Sequence, residues 1–401
     1  MTKIAIYTLT SELHDEQAVD ALTKEFLANI RADYDFCGSD YSSYGTRDLN
    51  LIYVRTGGTE GVFKRLLPEL QARSSQPFYL LTSGQSNSLA ASMEILSFLQ
   101  QQGLSGEIIH GQADYVSKRI ALLAKVESAR KMLRGSRLGV IGQPSDWLIS
   151  SFADREKIRA ALGIEIVDIA MPELLDEIAA TPLNAQVPLP APTEKIRQAL
   201  PGALQIYDAL TSIVKHHNLQ GFTLRCFDLL TAVRNTGCLA LAKLNAEGIV
   251  AGCEGDIPAM LTMAVAKAVT GVTGFQANPA QINAETGELL FAHCTIPLNI
   301  IERYELDTHF ESGIGVGIRG FMKEGPVTVA KLAGDLSRSF IEEGMLMRNQ
   351  AQPDLCRTQQ VIKLSATDAA RYFLTNPIGN HHIILPGHHK EALEELVGSS
   401  L

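Results

Sequence analysis

The chain lacks any window of about 18 uninterrupted apolar residues, so no helical membrane span is expected and no membrane partner. It lacks C-x-x-C pairs: the six cysteines (Cys37, Cys226, Cys238, Cys253, Cys294, Cys356) are scattered, which suggests neither a zinc knuckle nor a disulfide framework. Free, mostly apolar-flanked thiols fit a reducing, cytoplasmic setting. There is no block of Lys and Arg, and the net charge is −9, so nucleic acid is a poor partner. Neither G-x-G-x-x-G nor a Walker pattern occurs, which argues against a nucleotide site. No signal-peptide pattern precedes the strand-like IAIYTL that follows Met1-Thr2-Lys3, and no fixed-period repeat or long disordered tract is seen.

What is present is ordinary globular composition, 46% hydrophobic and 20% charged over 401 residues, enough for two or three domains. Short apolar runs alternate with helical patterns: KIAIYTL (3–9), LNLIYVRTGG (49–58), PFYLLTSG (77–84) and GEIIHG (106–111) each lead into a helix. The pattern restarts at RLGVIGQPSDW (137–147) and continues through a helix near 151–162, IEIVDIA, a proline-rich loop, a long helix to about His217, GFTLRCF (221–227), a helix over 228–247, IVAGCEG and a helix over 258–270. Strands alternating with helices predict parallel sheets covered on both faces. After Thr273 the runs become short, alternating and separated by turn residues, which predicts an antiparallel sheet or small barrel. Gly313, Gly315 and Gly317 there mark either a close approach or a strand bend. The expected plan is therefore α/β: two consecutive doubly wound, Rossmann-like domains (1–135 and 136–272) followed by a C-terminal antiparallel β domain (273–401) ending in a helix.

The chemistry-bearing stretch runs from Ile249 to Pro297. An apolar run ends in Gly252-Cys253-Glu254-Gly255-Asp256, and Pro258 then opens a helical pattern. Two carboxylates thus stand where a strand hands over to a helix, the usual mouth of an α/β crevice. A second apolar run ends in His293-Cys294-Thr295. A carboxylate and an imidazole at two strand ends can hold a divalent metal or do acid–base work. Equally, Glu254 suits a helix N-terminus and Asp256, ahead of Pro258, suits an N-cap.

The order CEGD, helix, TG…F-x-A-[N/D], L-x-x-H-C-x-x-P resembles the L-fucose isomerase and L-arabinose isomerase superfamily, well over roughly residues 221–300 and more loosely elsewhere. The resemblance implies two α/β domains and a β domain, a trimer or hexamer, a sugar substrate, Mn²⁺ or another divalent metal, and aldose–ketose isomerisation through an ene-diol. It matches Glu254 to a metal ligand. It sets Asn278, in Phe275-Gln276-Ala277-Asn278, where the family has an acidic ligand, and it implies that a histidine after a C-terminal glycine completes the site. GNHH fits that place better than PGHH; adjacent strand residues face opposite sides, so one of His381 and His382 can face the metal, and His381 is taken as the expected ligand with His382 left for substrate. The expected set is therefore Glu254 and Asp256 for catalysis and Glu254, Asn278, His293 and His381 for metal. Two N-terminal loops at strand ends supply Gly58, Thr59, Asn87 and Ser88 as candidate sugar contacts, with Asn278 and His382. Ordinary capping explains Thr59 and its neighbours equally well. An isomerase is the first expectation. A sugar-binding homologue with a weakened metal site, Asn278 replacing the acid, is the second.

Overall fold

The computed structural model describes residues 3–183, 189 and 191–398. Met1 and Thr2, and part of the proline-rich loop, lie outside the described residues. The chain forms two compact units, Met1–Lys131 and Met132–Leu401.

In the first unit, β1 (Ile4–Leu9), β2 (Asp35–Gly38), β3 (Leu49–Val54), β4 (Phe78–Leu81) and β5 (Gly106–Ile109) form a parallel sheet of order β2-β1-β3-β4-β5. β1 and β3 are buried along their whole length, as strands covered by helices on both faces must be. β2 has no counterpart in the alternation read from sequence. It is a half-exposed edge strand of four residues, too short and too polar to stand out.

The second unit repeats this winding. β6 (Arg137–Ile141), β7 (Glu165–Ile169), β8 (Gly221–Leu224) and β9 (Val250–Cys253) run parallel in the order β7-β6-β8-β9. The helix expected over 228–247 is two helices, Asp228–Ala232 and Cys238–Ala246. Between them Arg234 takes a left-handed backbone (φ 52°). The break frees Asn235 to donate to the Ala199 carbonyl and Thr236 to exchange hydrogen bonds with Val316. Gly315 meets that contact: a Cβ there would sit 2.6 Å from the Thr236 side chain.

The same unit then closes a six-stranded antiparallel barrel. Its strands are β10 (Phe275–Asn283), β11 (Glu288–His293), β14 (Gly325–Leu332), β15 (Ser339–Gln350), β16 (Thr358–Leu364) and β17 (His382–Pro386), in the order β10-β11-β16-β15-β14-β17. A hairpin of β12 (Arg303–Asp307) and β13 (Gly317–Phe321) accompanies it. Alternate residues, among them Phe275, Phe291, Val329, Ile362 and Ile384, fill one core. Each large apolar side chain so buried contributes roughly 1.5–3 kcal/mol. Closure removes sheet edges and fixes register, which holds the ends of β11 and β17 in place. Among the described residues no helix is long and apolar enough to cross a membrane.

Candidate metal centre

β9 ends at Cys253, and the next residue, Glu254, takes a left-handed backbone (φ 64°), a costly conformation for a residue with a Cβ. Three features hold it there. Its carbonyl accepts from Ser145 N–H. Gly255 (φ 70°) packs so closely that a Cβ would lie 2.4 Å from the Gln143 carbonyl oxygen. Asp256 then caps the helix Ile257–Thr270, its Oδ1 accepting from Ala259 N–H at 2.8 Å. The segment CEGD is thus a strand end, a strained turn and an N-cap in four residues.

The barrel brings two histidines to this turn. His293 ends β11 and His381 immediately precedes β17. Both Nε2 atoms face Glu254 Oε1, at 3.6 Å from His293 and 3.5 Å from His381. The rings lie 5.4 Å apart. Glu254, His293 and His381 are buried, at 8%, 4% and 0% exposure. Asp256, also fully buried, accepts from His381 Nδ1 at 2.8 Å through Oδ2, and His293 Nδ1 meets Thr295 Oγ1 at 3.2 Å. The remaining Glu254 oxygen, Oε2, accepts from Trp147 Nε1 at 2.6 Å.

This donor set fits a metal ion. The buried His381 Nε2 has no hydrogen-bond partner. Ligand atoms about 2.0–2.2 Å from one ion lie roughly 3.0–3.6 Å from each other, which is the spacing seen here. The Glu254, His293 and His381 group can therefore hold a metal ion. A carboxylate behind one imidazole and a hydroxyl behind the other fix the rings with Nε2 inward. The electrostatics agree. Burial opposes ionisation of Glu254, but the two imidazoles outweigh it and hold the carboxyl well below its usual range. Burial likewise opposes charge on His381, yet Asp256 and Glu254 push it up to about 9. The site carries a negative field that favours a cation.

Asn278, on β10, accepts from Asn380 Nδ2 at 3.0 Å. Ala277 pairs with His382 in the β10–β17 ladder, so the next register position sets Asn278 opposite His381. His382 points the other way, into the barrel, where its ring meets Phe373 (4.7 Å) and Phe340 (5.8 Å). Both its nitrogens are engaged, by Tyr372 Oη and the Asn380 carbonyl. In the first unit, Thr59 Oγ1 donates to the Thr56 carbonyl and Ser88 Oγ meets Thr82 Oγ1 at 2.7 Å, both fully buried. Gly58 and Asn87 adopt left-handed backbones. The scattered cysteines are free, and two of them, Cys226 and Cys253, meet at the ends of β8 and β9, 3.1 Å apart.

Sequence reasoning missed Trp147 and Lys331. Trp147 lies in the loop after β6, a strand end of the kind already flagged in the first unit. Lys331 interrupts the apolar run of β14, is 1% exposed, and meets Asp256 Oδ2 at 3.5 Å.

No protein-family model matches the chain. It is similar to a sulfoquinovose isomerase of Alkalicoccus urumqiensis, 23% identical over 221 residues, covering 52% of this chain and 50% of that protein. A sulfoquinovose isomerase of Priestia aryabhattai is 21% identical over 222 residues, covering 52% and 49%. One from Clostridium sp. (strain MSTE9) is 27% identical over 124 residues, covering 31% and 26%. The chain thus spans about half the length, or less, of these curated relatives.

Proposed function

We propose that the protein is a metal-dependent aldose–ketose isomerase of sugars, with sulfoquinovose the first substrate to test. The observation that carries this reading is the convergence of Glu254 Oε1, His293 Nε2 and His381 Nε2 from three strand ends. The names of the relatives support the reaction class and the substrate. Mn²⁺ suits one carboxylate and two imidazoles with positions left for substrate oxygens. A divalent ion held there would polarise the sugar carbonyl and offset the charge of the ene-diol.

The chain's own groups supply the rest. Glu254 would hold the ion through Oε1, and Oε2, once Trp147 yields its hydrogen bond, would take the proton from one carbon and return it to the neighbouring carbon of the ene-diol, ending unprotonated. Asp256 is fully buried with both oxygens engaged, so we assign it to positioning His381 rather than to proton transfer. Trp147 is half exposed and edge-on to Phe227, which gives the mouth of the site an aromatic wall suited to a sugar's C–H face. A second reading, a sugar-binding homologue with a weakened metal site, is favoured by Asn278, whose amide is neutral and already bonded to Asn380.

Elemental analysis of the purified protein, joined to NMR assays of sulfoquinovose, L-fucose and L-arabinose with and without Mn²⁺, decides between them. Interconversion of aldose and ketose that requires metal supports the isomerase. Sugar binding without turnover at saturating metal supports the second reading, and neither binding nor turnover rejects both.

A further inference from the structure

Lys331 has no part in the proposed isomerisation. Its ammonium offers three donors, and its protein partner is Asp256 at 3.5 Å, the outer limit of a hydrogen bond. A buried ammonium with donors to spare is costly. Lys331 lines an open-mouthed cavity of about 340 Å³ bordered by the loop after β6, the β14–β15 turn and the segment before β17. Ser150, Ser151 and Arg338 line it as well. One Arg338 nitrogen donates to the Asn376 carbonyl at 2.7 Å, which leaves further N–H groups of the guanidinium. The acid on the wall, Asp335, accepts from the N–H and hydroxyl of Ser337. The wall therefore carries two cations, one acid and several neutral donors beside the apolar Phe152, Pro258 and Ile378, an arrangement suited to an anion with a short apolar or neutral attachment.

We propose that this cavity binds a tetrahedral oxyanion: sulfate, phosphate, or the sulfonate or phosphate end of a sugar derivative. Lys331 and Arg338 supply the charge, and Ser150 and Ser151 supply neutral hydrogen bonds. The volume holds one such group with several attached atoms. The occupant lies behind the centre described above: the Asp256 oxygen that meets Lys331 also holds His381 at Nδ1, the nitrogen on the side of the ring away from Glu254.

The test is calorimetry and thermal shift on the full chain with sodium sulfate and sodium phosphate, sodium chloride keeping ionic strength constant. Saturable binding is expected, with a Tm that rises with anion concentration. Arg338→Gln should weaken it at least tenfold and Ser151→Ala about threefold. Lys331→Gln should abolish binding but strips Asp256 of its cation and so risks the fold; exposed Arg338 keeps the test decisive. A response equal to that in chloride, or wild-type affinity in Arg338→Gln, overturns the proposal. Glucose 6-phosphate then identifies the occupant. Competition with sulfate, weakened by both Arg338→Gln and Glu254→Gln, names the charged end of a substrate. Sulfate binding indifferent to the sugar names a separate ion. Sulfate binding that persists in a protein without metal affinity upholds this site while the isomerase reading fails.

Discussion

The two parallel sheets are wound alike, β2-β1-β3-β4-β5 in the first unit and β7-β6-β8-β9 in the second, yet their strand ends differ in kind. In the first, a cleft of about 610 Å³ opens beside β1 and β3, where the strand order reverses and α/β sheets usually take ligands. Its buried cation is satisfied from within: Arg55 reaches Asp20 at 2.5 Å and Thr10 at 2.6 Å. In the second, the outer strand β9 ends in a strained glutamate that faces two imidazoles contributed by the barrel. The same winding supplies a mouth in both cases. Chemistry arises where unsatisfied donors are forced together against conformational cost.

Glu254→Gln should separate the two mouths most sharply. Gln keeps the volume and the turn but removes the charge that both imidazoles face. Calorimetry should show Mn²⁺ affinity reduced at least about a hundredfold, and any isomerase turnover should vanish. Stability should fall by about 2–4 kcal/mol, because Glu254 is buried and its charge faces both imidazoles. Wild-type metal affinity in this variant would mean the second mouth is no more a metal site than the first.

Asp256→Asn comes next. Asn still caps the helix, but it faces His381 Nδ1 with a neutral amide and leaves buried Lys331 without its counter-charge. Metal affinity should fall about 10- to 100-fold, as for loss of other groups that orient a ligand. Stability should fall by about 2–4 kcal/mol in urea titrations. A variant as stable as wild type would remove the charge argument for Lys331.

Asn278→Asp tests the position where this chain departs from the superfamily it resembles. Register sets residue 278 opposite His381, so an added carboxylate there should tighten Mn²⁺ binding, by about tenfold. Equal affinities would place residue 278 outside the centre.

These variants also show how far the sequence could be read. Alternation of strands and helices implied both parallel sheets, and short alternating runs after Thr273 implied the barrel. The N-cap at Asp256 was legible because Asp ahead of Ile-Pro has few other uses. Side-chain direction at strand ends was not. His381 was the expected ligand and does face Glu254, but it is adjacent to and chemically identical with His382, and only barrel closure decides that one faces Glu254 and the other the Phe373 ring. Lys331 was invisible for the same reason: its partner is 75 residues away, on another layer. The helix over 228–247 failed because tertiary hydrogen bonds of Asn235 and Thr236 outweigh local propensity.

A smaller effect concerns pH. Burial pushes His309, packed on Phe227, down to about 4. The unfolded chain binds this proton near pH 6.5, and the folded chain does not until near pH 4. Stability from His309 is therefore complete above pH 6.5 and declines as pH falls from 6.5 to 4, by on the order of 2 kcal/mol. His309→Phe should flatten that part of the stability profile. An unchanged slope would mean that His309 is hydrated in solution.

The smallest expected effect belongs to the first mouth. Arg55 is nearly buried but its partner Asp20 is half exposed, so solvent screens the pair. Arg55→Lys keeps the charge and loses the forked geometry that reaches Asp20 and Thr10 together. Denaturant titration should show a loss of about 0.5–1 kcal/mol. Metal affinity should stay at the wild-type value, since no group in this cleft offers the carboxylate and paired imidazoles of the second. A fall in Mn²⁺ affinity in Arg55→Lys would overturn the contrast between a self-satisfied cleft and a strained centre.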